Sequence, residues 1–308
     1  MEGKRVNPFK FIAPSLCVFD LEWAPDADTV LRSNGLLNPE RLRKFYGQDS
    51  TKEVSDKELI EFAKHSFTKN PNDEIFPPLK LAMNQILSVA VVIREADRES
   101  GEVESVNLYS DSLLNKTENR LIDGILNTFS GMPGRQIVGY ASQAFDIPLL
   151  TQRALINGCN HYPFFHRPDK PWEGVDRFAK SNDWHIDLCE AVSSGSGDSR
   201  PKLSQIARAC KIPAKLSIEG DDVASLWASG DHDKQSSIVE YNEQDALTTY
   251  LLWLRMALTF GLLSRAEYNK EIWLCQKMIV REIEEGKAHL HAFMDEWQRL
   301  DKNMGRIE

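Results

Sequence analysis

Hydrophobic and polar positions change period several times along the chain. Residues 16–23, Leu-Cys-Val-Phe-Asp-Leu-Glu-Trp, form an apolar run of strand type in which alternate side chains share a face. Residues 85–94 and, after the Ser100-Gly101 turn, residues 103–110 read as two further strands, so the three make a meander. Thr117 or Asn115 caps a helix over 120–129, residues 136–140 give a fourth strand, and Asp146 ahead of Pro148 opens a second helix. Residues 184–188 read as a short fifth strand, the Ser/Gly run 193–199 as a connector, and the chain from 264 onward as helical, ending in 288–300. Ile238, Tyr241, Asp245, Thr248 and Leu252 recur at helical spacing, which buries the face that carries Tyr241 and Asp245. Between the first two strands lies a polar stretch, 25–78, with helical patterns at 38–45 and 55–67, read as an insertion beside the site. Strands alternating with helices imply a mixed α/β fold.

Four acids stand at the edges of these apolar elements. Asp20 and Glu22 project together from the first strand, Asp146 starts a helix, and Asp245 lies one turn after Tyr241. Two carboxylates about 4 Å apart repel by roughly 4 kcal/mol at an effective dielectric near 20, so four in one pocket call for cations. Oxygen-only ligands favour Mg2+ or Mn2+, and a pair of such ions suits phosphoryl displacement.

These residues carry a resemblance. Phe-Asp-Leu-Glu at 19–22, Gly139-Tyr140 with Phe145-Asp146, and Tyr241 with Asp245 resemble the three exonuclease motifs of the DEDD superfamily in its DEDDy branch. With His185 to Leu188, Leu203 to Ala207, Ile212 to Lys215, Gly220, Val223 and Ile238 to Asp245, the chain is similar over about 14–300 to the predicted 3'-5' exonucleases related to the exonuclease domain of family B DNA polymerases. The resemblance implies a ribonuclease H-like exonuclease fold: a mixed five-stranded sheet flanked by helices, spanning 14–262 with an insertion at about 25–80, then a C-terminal helical extension at 263–308. It implies a two-metal 3'-5' exonuclease that releases nucleoside 5'-monophosphates from 3' ends, DNA favoured and RNA possible, with a polymerase or repair partner in trans as a further possibility. Asp20 would bridge two divalent ions, Mg2+ or Mn2+. Glu22 and Asp146 would complete one or the other site and Asp245 the first, while Tyr241 orients the attacking water or contacts the scissile phosphate. One departure stands out: Ala141 occupies the place where the family's second motif usually carries asparagine, with Ser142 and Gln143 as candidate replacements for its hydrogen bonds.

For substrate contacts the sequence offers Leu21, Trp23 and Phe145, which flank the acids and could stack on terminal nucleotides, core packing being the alternative for Leu21 and Phe145. It also offers Lys202 and Lys211, in a window (200–215) that holds Arg200, Arg208 and Lys215 as well and no acid. A solvated helix face explains that window equally well. Asp187 receives no metal role, and His161, His166 and His185 lack the cysteines and spacing of a zinc site.

Composition narrows the setting. The net charge of −9 argues against a broad basic surface for nucleic acid, leaving a few local contacts plus cations to hold a strand. The odd set Cys17, Cys159, Cys189, Cys210 and Cys275 has no close pair, which suits a reducing cytoplasm. No apolar segment reads as a secretory signal or a membrane span. Two rival readings remain: an exoribonuclease, since no residue reports on the sugar, and a catalytically silent nucleic-acid-binding module on the same fold.

Overall fold

The computed structural model describes residues 10–33, 55, 58, 80–131, 134–170, 172–179, 183–194, 196–214 and 222–302. Five strands, β1 (Ser15–Pro25), β2 (Asn84–Ala96), β3 (Val103–Ser112), β4 (Gln136–Gly139) and β5 (His185–Asp187), form one sheet in the order β3-β2-β1-β4-β5. The first three strands pair antiparallel, whereas β4 lies parallel to β1 and β5 parallel to β4. Gly101, at φ 73°, makes the β2–β3 turn, where Asp97 accepts from the Ser100 amide at 2.7 Å. This is the ribonuclease H-like arrangement that the motifs imply.

Alternation along β1 sorts its side chains between two helical layers. Cys17, Phe19 and Leu21 pack against α2 (Glu118–Ser130) and α3 (Asp146–Ile156) through Leu121, Ile122, Leu149 and Leu150. Leu16 and Val18 point the other way, into a core with Leu247, Leu251 and Trp253 of the long helix α8 (His232–Thr259). Between these helices run α4 (Tyr162–Phe165), α5 (Leu188–Ser193), α6 (Leu203–Ala209) and α7 (Val223–Ala228). The last two helices, α9 (Arg265–Glu284) and α10 (Leu290–Lys302), share this second core through Cys275, Met278, Ile279, Leu290, Phe293 and Trp297. A buried ion pair reinforces their docking: Arg94 of β2 donates to both carboxylate oxygens of Glu271, at 2.9 and 2.8 Å, and the Tyr250 hydroxyl donates to the same group at 3.0 Å.

Helix α1 (Ala27–Ser33) follows β1 directly. Arg153 of α3 ties it in, donating to Thr29 at 3.0 Å, to Asp26 at 3.0 Å and to Glu118 at 2.8 Å. The rest of the expected insertion, including the helical pattern at 38–45 and most of that at 55–67, lies outside the described residues. Among the described residues no helix is long and apolar enough to cross a membrane.

Parallel strands linked by crossovers bring their carboxyl ends to one edge of the sheet, where such sheets keep their sites. Leu16 to Val18 pair with Gln136 to Val138, and Gly139 pairs with Asp187. Asp20, the 140–146 loop and Asp187 therefore meet at the same end.

Candidate metal centre

Asp20 and Glu22 lie on the β1 face that α8 covers, and Asp245 projects from α8 onto them. Each offers an oxygen atom, and these atoms all lie within 4.8 Å of one another. The register of β1 against β2 shifts between Glu22 and Trp23, immediately after the second acid, as bulges beside sites often do. Asp146 arrives from the other side, at the first turn of α3, and is buried. Because β1 runs beyond the end of β4, the Leu21 amide has no ladder partner on that side, and it donates to the Asp146 carboxylate together with Asp146's own amide.

The electrostatics are those of an anion cluster. Burial raises Asp20 well above the usual carboxylate range, and the charges of Glu22, Asp146 and Asp245 push it further. Burial also lifts Asp146 from 3.8 to about 7, with the Asp187 charge adding to it and the two amide bonds opposing. The donor set is all oxygen and the charges of the other three acids converge on Asp20, a repulsion that a hard divalent cation relieves. Asp146 stands outside the three-acid group, yet its charge acts on Asp20.

Tyr241 is buried one turn before Asp245, to whose carboxylate its hydroxyl is hydrogen-bonded. Burial first, then Asp245, Glu22 and Asp20, drive its pKa above the ordinary phenol value, so at neutral pH it is a donor and never a base. Its ring is held by Ala24, Leu87, Val223 and Ile238.

The 140–146 loop is fixed from beneath by Asp187. One of its oxygens accepts from Ala141 N at 2.9 Å and Cys189 N at 2.9 Å, and the other from Gln143 N at 2.9 Å. Both of its oxygens thus serve amides of the loop and of α5. Ala141 sits at φ 55°, a conformation that asparagine and glycine adopt more readily than alanine, so the departure in the second motif falls on a strained position. Gly139, two residues earlier, has no room for a side chain: a Cβ there would lie 2.5 Å from the Ser142 side chain. Ser142 does not stand in for the missing asparagine at the acids, because its hydroxyl bonds His185 Nε2 at 2.9 Å. Burial, then the Arg177 charge, pushes that imidazole down to about 3, and among the described residues the histidines join no metal-binding group.

Comparison with known families decides the assignment. The model described as "Predicted 3'-5' exonuclease related to the exonuclease domain of PolB" matches residues 76–297, more than half of the chain. The chain belongs to this family. Asp146, Tyr241 and Asp245 fall inside the matched residues; Asp20 and Glu22 precede them, and strand pairing brings them to the others. Among solved structures the chain is similar to the family B DNA polymerase of the hyperthermophilic archaeon Pyrobaculum calidifontis, at 14% identity and a TM-score of 0.43, with 88% of this chain covered and 29% of the polymerase. The chain thus spans less than a third of that relative's length. No curated protein matches it.

In this member of the PolB-related family the residues expected to touch substrate fare unequally. Leu21 is corrected: its side chain is 2% exposed and packed with Phe19 and Ile86, because alternation turns it away from Asp20 and Glu22 and toward α2 and α3. Only its amide reaches the site. Trp23 is half-buried against the same core, while Phe145 is 49% exposed at the start of α3, next to Asp146. Lys202 is exposed at the start of α6, and the Tyr140 hydroxyl donates to the adjacent Pro201 carbonyl at 2.6 Å, which holds this end of α6 near the close of β4. Lys211 is exposed past the other end of α6, a helix length of roughly 10 Å away. Arg200 of the same window is paired with Glu190.

Sequence reasoning missed one residue at the centre of the site. Asn242 donates from Nδ2 to Asp20 Oδ2 at 3.0 Å, and the Ser88 hydroxyl donates to Asn242 Oδ1 at 3.4 Å. No spacing rule could find it, since it adjoins Tyr241 in a helix and meets β1 only through folding.

Proposed function

We propose that this chain is a metal-dependent 3'-5' exonuclease that hydrolyses the terminal phosphodiester of a single-stranded 3' end, DNA by preference, and releases nucleoside 5'-monophosphates. The convergence of Asp20, Glu22 and Asp245, with the charge of Asp146 also acting on Asp20, carries this reading. Asp20, Glu22, Asp146 and Asp245 are the residues that would hold divalent cations there, an all-oxygen set suited to Mg2+ or Mn2+. Bound there, they would neutralise charge developing on the phosphate and acidify an attacking water.

The chain's own residues do the rest. Tyr241 keeps its proton and would orient water or a phosphate oxygen by donating, a reading that its raised pKa supports. Phe145 presents an exposed ring beside Asp146 on which a terminal base can stack. Lys202 supplies a positive charge at the same end of the sheet, which an overall acidic molecule needs if it is to hold a phosphate chain.

End-labelled DNA and RNA single strands, incubated with Mn2+, Mg2+ or chelator, test the proposal. The expected result is stepwise shortening from the 3' end of DNA with either metal, none with chelator, and none with Asp20→Ala or Asp245→Ala. Turnover that survives chelation or either substitution would refute it, and preferential loss of RNA would reassign the substrate.

A further inference from the structure

Deepening the proposed site and resting on its metal reading, we infer that Asn242, oriented by Ser88, is a positioning residue for Asp20, holding the shared carboxylate in the orientation that receives the cations. The chain of contacts spans three elements. Ser88 pairs with Glu22 across β1 and β2, Asn242 comes from α8, and Asp20 from β1. Both Ser88 and Asn242 are fully buried, so no solvent can substitute for the bond between them or satisfy the Asn242 amide in place of Asp20.

The direction of the amide follows from its partners. Turned over, Asn242 would set its carbonyl oxygen against the Asp20 carboxylate, acceptor against acceptor. With Ser88 donating to Oδ1, the amide nitrogen faces Asp20 instead. A carboxylate has about four lone-pair positions. Asn242 occupies one on Oδ2 and leaves Oδ1 and the remainder of Oδ2 for cations.

The choice of donor also matters. Lysine or arginine here would neutralise Asp20 and compete with a metal ion for it. A neutral amide stabilises the carboxylate without cancelling the charge a cation needs. The same bond fixes α8 against β1, and Tyr241 and Asp245 ride on that helix.

The test measures Mn2+ binding to the metal-free protein by calorimetry, alongside kcat and KM on a labelled single strand, for Asn242→Leu, Ser88→Ala, and Asn242→Leu in an Asp20→Asn background. Asn242→Leu should weaken Mn2+ binding about 10- to 100-fold and lower kcat while KM for the strand holds. Ser88→Ala should do the same to a smaller degree, and Asn242→Leu should add no further loss of metal affinity once Asp20 is replaced. Lowered melting temperature with Mn2+ affinity and kcat retained would assign Asn242 to packing alone and overturn the inference. If Asn242→Leu does not fold, unchanged Mn2+ affinity and kcat in Ser88→Ala overturns it equally. A wild-type protein that binds no Mn2+ would instead sink the metal reading beneath it.

Discussion

Replacing Asp146 with asparagine isolates what a buried carboxylate costs the metal-free protein. The folded state lifts this group from 3.8 to about 7, so between those values the native protein keeps a proton that the unfolded chain has released. Stability from this group is therefore fully present below the unfolded value and is lost as pH rises through about 7. A pKa difference of about three corresponds to about 4 kcal/mol as an upper bound, at 1.36 kcal/mol for each pKa unit. At about 1.5 °C per kcal/mol for a chain of this size, the wild-type melting temperature should fall by roughly 6 °C between acid and mildly alkaline solution in chelator. Asp146→Asn keeps an oxygen to accept from the Leu21 and Asp146 amides but has no proton to lose, and it relieves Asp20 of one like charge. Thermal scans in chelator from about pH 4 to about pH 8 should therefore show a flatter profile for the variant and a higher melting temperature than wild type at the alkaline end. Saturating Mn2+ should reverse the wild-type trend, because the ion competes with the proton for the same oxygens. A variant profile parallel to wild type, or a variant less stable at the alkaline end, would refute the reasoning.

Other substitutions separate chemistry from architecture. Tyr241→Phe retains the packing against Ala24, Leu87 and Ile238 but loses the donor, so kcat should fall about 100-fold or more while calorimetric Mn2+ affinity is unchanged. Ala141→Asn places a residue tolerant of left-handed backbone at φ 55° and should raise the urea midpoint by the equivalent of about 1 kcal/mol. Glu271→Gln leaves the Arg94 guanidinium buried without its counter-charge, and denaturant unfolding should show a loss of about 3–5 kcal/mol.

Much of the fold was legible along the chain because its signals are local. Alternation placed the first strand at 16–23 against an observed Ser15–Pro25, and the second at 85–94 against Asn84–Ala96. Thr117 does precede α2, and Asp146 does open α3. Even the brief, fully buried β4 and β5 were readable, as short apolar runs between turn residues. The direction of Leu21 was only half legible. Period-two alternation opposes it to Asp20 and Glu22, but that α2 and α3 cover the face it turns to depends on how those helices dock.

The sequence by itself determined the acids, the tyrosine and the element that carries each, since a residue's place on a strand face or helix turn follows from period alone. Tertiary structure decided how near the acids come. It set Glu22, Asp20 and Asp245 within 4.8 Å while Asp146 stands apart, turned Asp187 to the amides of the 140–146 loop, and brought Asn242 to Asp20 from far along the chain. The reason is physical. Repulsion among carboxylates and the hydrogen bonds that hold them depend on distances of a few ångströms between elements remote in sequence, and only the packing of α8 and α3 on the sheet sets those distances.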